Sequence, residues 1–285
     1  MIPAQIKSSL SAYLKENVHP QIMLESTFPL SGGCINNAVK LQTNKGCFFA
    51  KWNENPKTDL FQTEYEGLKN LKETKAIYIP EIIVFDKNFL ILEFVSPTNP
   101  DDNFWQKFGK NLANLHLCQT EQFGLDYDNY IGSLKQLNTK KENWIDFFVQ
   151  NRLLSQLEIG SFSSSIKNDF EKLFDKLPDL IPQEQPSLIH GDLWSGNFMV
   201  KNHSLPVLID PAIYFGNREM DIAMSKLFGG FQTDFYTSYN EVFPLEKGWE
   251  ERVSLCNLYP LLVHVNLFGG GYLSQVKNIL SYYVG

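Results

Sequence analysis

The sequence predicts an α+β fold in two lobes, a small antiparallel-sheet lobe over residues 1–95 and a larger helical lobe over residues 96–285. Three observations carry that expectation. Short runs of β-forming residues crowd the first third of the chain, and helical stripes dominate the rest. Between them, Ser96-Pro97-Thr98-Asn99-Pro100 places two prolines within four residues, which opposes both helix and ladder pairing. A chain of 285 residues also exceeds the usual extent of a single core, so two lobes are the natural arrangement.

Along the first lobe, Ile6, Leu10 and Leu14 recur at helical spacing and predict an opening helix. Residues 22–29, 38–41 and 47–52 are rich in β-formers and are punctuated by Ser31-Gly32-Gly33 and Asn44-Lys45-Gly46, the pattern of an antiparallel meander. Asp59 stands three residues before Gln62 in a capping-box arrangement, and Leu60, Tyr65, Leu68 and Leu71 give the stripe of a helix crossing the sheet. Residues 82–85 and 89–94 flank the turn Asp86-Lys87-Asn88 and add two strands to that sheet. Beyond the linker, Phe108, Leu112 and Leu115, then Trp144, Phe147, Phe148 and Leu154, predict long helices. Set into that helical lobe, Leu188-Ile189 and residues 198–200 and 207–209 read as small strands.

Composition narrows the function. With 43% hydrophobic and 20% charged residues the chain has material for a sizeable core and is not disordered. A net charge of -7 and a pI near 5.3 lack the basic footprint of a nucleic-acid or anionic-membrane binder, while amine-bearing substrates fit. Cys34, Cys47, Cys118 and Cys256 are scattered, with no CxxC pair and no histidine at zinc-ligand spacing, so reduced thiols and no zinc are expected. The N-terminus shows no apolar core of a signal peptide. The longest apolar stretch, residues 255–273, is broken by Asn257, Pro260, His264, Asn266 and three glycines, unlike a membrane span. A cytoplasmic enzyme is the expectation.

The chemistry concentrates in His190-Gly191-Asp192-Leu193-Trp194-Ser195-Gly196-Asn197, followed after a β-pair by Ile209-Asp210-Pro211. An Asp and an Asn five apart on a loop, with a second Asp on a neighbouring hairpin, supply what phosphoryl transfer needs. Asp192 would accept the substrate hydroxyl's proton, and Asn197 and Asp210 offer hard oxygens to Mg2+. The plainer alternative, Asx turns and a helix cap, requires chance to place the hairpin as well. His190, at a strand end, reads as an orienting group for the loop. In the first lobe, Ser31-Gly32-Gly33-Cys34-Ile35-Asn36-Asn37 lies between two predicted strands. Glycines let the backbone approach phosphate, and consecutive amides form an anion nest, although two glycines alone describe any hairpin. Lys51 on the following strand and Glu64 in the next helix match the lysine and paired glutamate that hold nucleotide phosphates in kinases.

HGDLWSGN and residues 210–231, DPAIYFGNREMDIAMSKLFGGF, resemble the fructosamine kinase and ketosamine-3-kinase family, a branch related to aminoglycoside phosphotransferases and choline kinases. The resemblance extends to GGCIN, Lys51 and Glu64, GKNLANLH, FGLDYDNYIGSLKQLN and the stretches around Trp144 and Arg152, nearly the whole chain. It implies a protein-kinase-like bilobal fold, ATP and Mg2+. The implied reaction is phosphorylation of the third-carbon hydroxyl of fructosamine, ribulosamine or erythrulosamine, as small-molecule ketoamines or on a glycated protein amine, a deglycation repair.

By matching position, the resemblance implies Asp192 as base and Asn197 and Asp210 as metal ligands. Lys51 with Glu64 would meet phosphate, and Gly32, Gly33, Cys34, Ile35 and Asn36 would cover the nucleotide. Backbone groups of Glu93 and Val95 would meet adenine, with Trp194, Tyr214 and Glu219 lining the sugar pocket. Asn217 leaves the sugar preference open. The HRD, DFG and APE signatures are absent, which argues against protein hydroxyls as acceptors. Two rival readings are a kinase of the same fold acting on an aminoglycoside, choline or a thiosugar, and a nucleotide-binding module without catalysis. Residues 213–231 oppose the first by family likeness, and the complete set of Lys51, Glu64, Asp192, Asn197 and Asp210 opposes the second. Amides and Lys51 near Cys34 would favour a thiolate, and the expectation is a redox-dependent homodimer through Cys34, against the alternative of a small buried hydrophobe.

Overall fold

A computed structural model describes residues 2–30 and 36–285. Its elements run α1 (Ala4–Asn17), β1 (Leu24–Leu30), β2 (Asn37–Thr43), β3 (Gly46–Trp52), α2 (Leu60–Glu73), β4 (Ile82–Asp86), β5 (Phe89–Glu93), α3 (Phe104–His116), β6 (Asn129–Ile131) and β7 (Leu134–Gln136). Then come α4 (Trp144–Phe147), a π-helical stretch (Phe148–Leu154), α5 (Ser155–Ile159), α6 (Ser164–Leu180), β8 (Ser187–Ile189), β9 (Phe198–Lys201), β10 (Leu205–Leu208) and β11 (Tyr214–Gly216). Five helices close the chain: α7 (Glu219–Leu227), α8 (Thr233–Val242), α9 (Trp249–Cys256), α10 (Leu258–Phe268) and α11 (Tyr272–Val284). Among the described residues no helix is long and apolar enough to cross a membrane.

The chain divides into two compact units, the first running to Phe104 and taking in Phe198–Asp210, the second formed by Trp105–Asn197 and Pro211–Gly285. The first unit holds the small antiparallel-sheet lobe: five strands in the order β1-β2-β3-β5-β4. Side chains alternate across β3, so Phe48, Ala50 and Trp52 join Ile6, Leu10 and Leu14 of α1 in one core. The same alternation sends Lys51 to the other face, between Ala38 of β2 and Leu90 of β5 in the ladder. The capping box expected at Asp59 does not form: its side chain makes no cap bond to α2. With φ -117° and ψ 11° the residue is outside the extended conformation that aims a capping oxygen at the next turn, although its carbonyl accepts the first helical bond, from Thr63 N–H at 2.8 Å.

The second unit is the helical lobe, its core built from Trp144, Phe147, Phe148, Leu153, Phe170 and Leu262 among others. Two-stranded pairs are inset into it, β8 with β11 and β6 with β7. Three-residue strands are too short to show a period in the sequence, and β6, β7 and β11 were not expected. The run from Trp144 also departs from a simple helix. Its π-helical middle adds a residue per turn and rotates Arg152 fully into the core. There its guanidinium lies 3.8 Å from the Tyr214 ring centroid and 4.5 Å from that of Phe147, and Nη2 donates to Asn138 Oδ1 at 2.8 Å.

Candidate active site

In the second unit, β8 delivers the chain to His190, Gly191 and Asp192, and the loop is held from behind by Asp221 of α7. Its carboxylate accepts from His190 N–H at 2.7 Å and Gly191 N–H at 2.9 Å. It also meets His116 Nε2 at 3.2 Å, and His116 Nδ1 meets the Tyr239 hydroxyl at 2.8 Å. Gly191 has φ +80° and a Cβ there would lie 2.1 Å from the Ala212 carbonyl, so only glycine fits. His190 is fully buried, and its Nδ1 accepts from Asp192 N–H at 3.3 Å.

Asp192 and Asn197 meet directly. The Asn197 amide nitrogen donates to the Asp192 carboxylate at 2.8 Å and to its carbonyl at 2.9 Å. That bracing restrains the carboxylate and engages the Asn197 amide through its nitrogen. Trp194 sits half-buried on the same turn, its indole over Gly196, where a Cβ would approach it to 2.3 Å.

In the first unit, Lys51 lies between two carboxylates, Glu64 of α2 and Asp210 just past β10, each at 2.7 Å. Burial alone would lower the lysine's pKa, but Asp210 and Glu64 overcome it and hold the ammonium well above its ordinary value. Burial pushes the Glu64 carboxyl up, and Lys51 pulls against it. Asp210 is the open member, its side chain 45% exposed, and its φ of 53° puts a non-glycine residue in the left-handed region.

The remaining expected residues are scattered over both units. Gly32, Gly33, Cys34 and Ile35 lie outside the described residues. Asn36 accepts from the Asn53 amide at 3.1 Å. Glu93 ends β5 with its N–H donated to Glu81 O at 2.8 Å, and Val95 is buried. Tyr214 and Glu219 are enclosed. Tyr214 is 1% exposed within the aromatic core against Arg152, where burial raises its hydroxyl pKa. Both oxygens of Glu219 are engaged by Arg252, at 2.8 and 2.5 Å. Both side chains are enclosed by these partners.

Asp221, Tyr78 and Lys201 were missed. No motif or spacing in the sequence sets them apart, and only the bonds they make distinguish them. Among the described residues no group of three or more His, Cys, Asp or Glu side chains forms a cage for a metal. Magnesium, which takes much of its shell from phosphate oxygens and water, needs none.

The model of the fructosamine kinase family matches residues 6–284. A protein of Enterococcus faecium named a probable ketoamine kinase is 36% identical over 263 residues, covering 89% of this chain and 93% of its own. The chloroplastic protein-ribulosamine 3-kinase of Arabidopsis thaliana is 35% identical, covering 90% and 81%. A crystal structure of a fructosamine-3-kinase candidate from Thermobifida fusca superposes with a TM-score of 0.87 at 32% identity, covering 96% of this chain and 97% of that one. An ADP-bound aminoglycoside phosphotransferase, at 15% identity and a TM-score of 0.67 over 99% of this chain and 98% of its own, shares the fold.

Proposed function

We propose a division of catalytic labour from one premise: the chain belongs to the fructosamine kinase family. It is an ATP-dependent phosphotransferase with an alcohol acceptor, of the ketosamine 3-kinase type, and its activity is of the deglycation kind. Asp192 is the general base. As the sugar hydroxyl oxygen bonds to the γ-phosphorus, the bond from that phosphorus to the bridging oxygen of ADP breaks and the hydroxyl proton passes to the Asp192 carboxylate. The half-buried carboxylate braced by Asn197 suits that role, because an acceptor already in one rotamer loses little on binding.

Lys51 contacts the nucleotide phosphates, and Glu64 holds it in place. The observation that carries this reading is the ammonium of Lys51 set between Glu64 and Asp210 at 2.7 Å each. Glu64 is buried beside it, whereas Asp210 is exposed and is the partner free to turn to another cation. The Asp210 carboxylate and the Asn197 amide oxygen are hard donors that fit Mg2+. When bound, the ion neutralises phosphate charge. Trp194 is the aromatic residue placed on the catalytic loop to meet the sugar. The remaining parts of the proposal are cytoplasmic residence and a redox-dependent homodimer through Cys34. The homodimer is tested by whether Cys34→Ala removes an oxidant's effect on activity and on oligomeric state.

The deciding experiment is phosphate transfer from ATP to ribulosamine, erythrulosamine and fructosamine, free and on a glycated protein, with an aminoglycoside and choline as comparison acceptors and product positions assigned by NMR. The expected product carries phosphate on the third carbon of a ketoamine. Transfer to the comparison acceptors alone would overturn the assignment.

A further inference from the structure

The hairpin β9–β10, which leads to Asp210, is fastened to the rest of the first unit at its open end, at its turn and at Lys201. At its open end Leu208 N–H donates to Tyr78 O at 3.1 Å, beside a parallel bridge between Tyr78 and Val207. At its turn, Asn202 and His203 both adopt positive φ, 51° and 65°. His203 N–H donates to Thr98 Oγ1 at 2.8 Å, Asp101 N–H to His203 O at 2.8 Å, and Thr98 N–H to Val200 O at 2.9 Å. The proline-rich linker is therefore bonded to the hairpin turn.

Between these two attachments lies a knot of three side chains. Lys201 Nζ is 2.5 Å from Glu93 Oε1 and donates to the Tyr78 hydroxyl at 2.7 Å. That hydroxyl donates to Glu93 Oε2 at 2.6 Å, and Glu81 N–H donates to the same oxygen at 3.2 Å. The ammonium also stands 4.2 Å from the Tyr78 ring centroid. The side chains of Lys201 and Glu93 are only 23% and 25% exposed, so the pair is less screened than a surface ion pair and each charge depends on its partners.

The knot's location gives it a bearing on function. Glu93 is the last residue of β5 and begins the segment through Val95 that family likeness assigns to adenine. The hairpin ends at Asp210, which pairs with Lys51. We propose that Lys201 is a positioning residue for the nucleotide: through Glu93 and Tyr78 it holds the adenine-side backbone and the phosphate-side Lys51–Asp210 pair as one preorganised piece before ATP arrives. The identity of the nucleotide rests on the proposed function. The gain is one of preorganisation, in which binding no longer has to order the hairpin against β5.

The test combines calorimetric binding of Mg-ADP with steady-state kinetics. Lys201→Met should weaken Mg-ADP binding and raise KM for ATP about tenfold, with KM for the ketoamine within about twofold. Lys201→Arg, which keeps the pair, should restore nucleotide binding to within about threefold of the parent. Glu93→Gln should resemble Lys201→Met, and the double variant should be no weaker than the weaker single, because the two residues act as one unit. Unchanged Mg-ADP binding in Lys201→Met, equal loss toward both substrates, or single effects that simply multiply would each overturn the proposal. If Lys201→Met does not fold, Tyr78→Phe removes one hydroxyl and must weaken Mg-ADP binding by about threefold; no change overturns it. A parent protein that binds Mg-ADP but phosphorylates no ketoamine would sink the proposed function and leave this inference standing, whereas no Mg-ADP binding would sink both.

Discussion

Asp192 sits under three constraints: the two residues before it are tethered through their N–H groups to Asp221, its carboxylate is braced by Asn197, and the glycine before it is the only residue that fits. Asp192→Asn keeps the shape and removes the proposed proton acceptor, so turnover should fall by about 10²- to 10⁴-fold with nucleotide affinity retained; single-turnover assays beside calorimetry would separate the two effects. Glu93 gives a residue-scale prediction in pH. Burial pushes its carboxyl up, but bonds from Lys201, Tyr78 and the Glu81 backbone more than offset this and bring it below the ordinary 4.5. A carboxyl lowered on folding adds stability that is complete above the unfolded value and is lost as pH falls through the folded one. Glu93→Gln should therefore narrow its stability deficit relative to the parent as pH drops below about 4.5, in urea denaturation followed across that range.

At the scale of elements, the catalytic loop depends on how closely α3 approaches α8. A Cβ at Gly109 of α3 would lie 2.1 Å from the Phe235 carbonyl and 2.9 Å from the Tyr239 nitrogen, so the two backbones nearly touch. The same pair of helices brings His116 to Tyr239, and His116 also meets Asp221 of α7, behind the loop. Gly109→Ala must push the helices apart and should cost about 3 kcal/mol, the upper end of overpacking, read as a lower denaturation midpoint with reduced turnover. Gly271, with φ -66° and open space where a Cβ would stand, is the control: Gly271→Ala should stay within about 0.5 kcal/mol of the parent.

For the whole molecule, the residues of the proposed site are divided over two compact units, Lys51, Glu64 and Asp210 in the first and Asp192, Trp194 and Asn197 in the second. Ligand binding stabilises the whole chain by mass action, so Mg-ATP at a hundred times its dissociation constant should add about 2.7 kcal/mol. Asp210→Ala should lose most of that stabilisation and abolish transfer, because the carboxylate proposed to meet the metal is removed and Lys51 keeps only Glu64. Scanning calorimetry with and without Mg-ATP measures it; an unaltered shift together with normal turnover would take Asp210 out of the metal site.

Much of this was legible in the sequence because its signals are local. Short runs of β-forming residues bounded by turn residues mark the strands of the sheet, helical stripes mark α1 to α3, and Asp192 and Asn197 share one short loop whose glycine and turn residues already specify its shape. What only the tertiary structure decided are matters of long-range partnership. Glu93 and Lys201 are 108 positions apart, and nothing near either predicts that they meet. The hairpin at Phe198–Asp210 belongs by its contacts to the first unit although the sequence places it deep in the second. Tyr214 and Glu219, beside the catalytic motif in sequence, turn inward because a π-helical turn brings buried Arg152 to the one and Arg252 brings its charge to the other. Spacing reports which residues are neighbours along the chain; which of them face a ligand depends on buried charges finding partners, and those partners come from elsewhere in the fold.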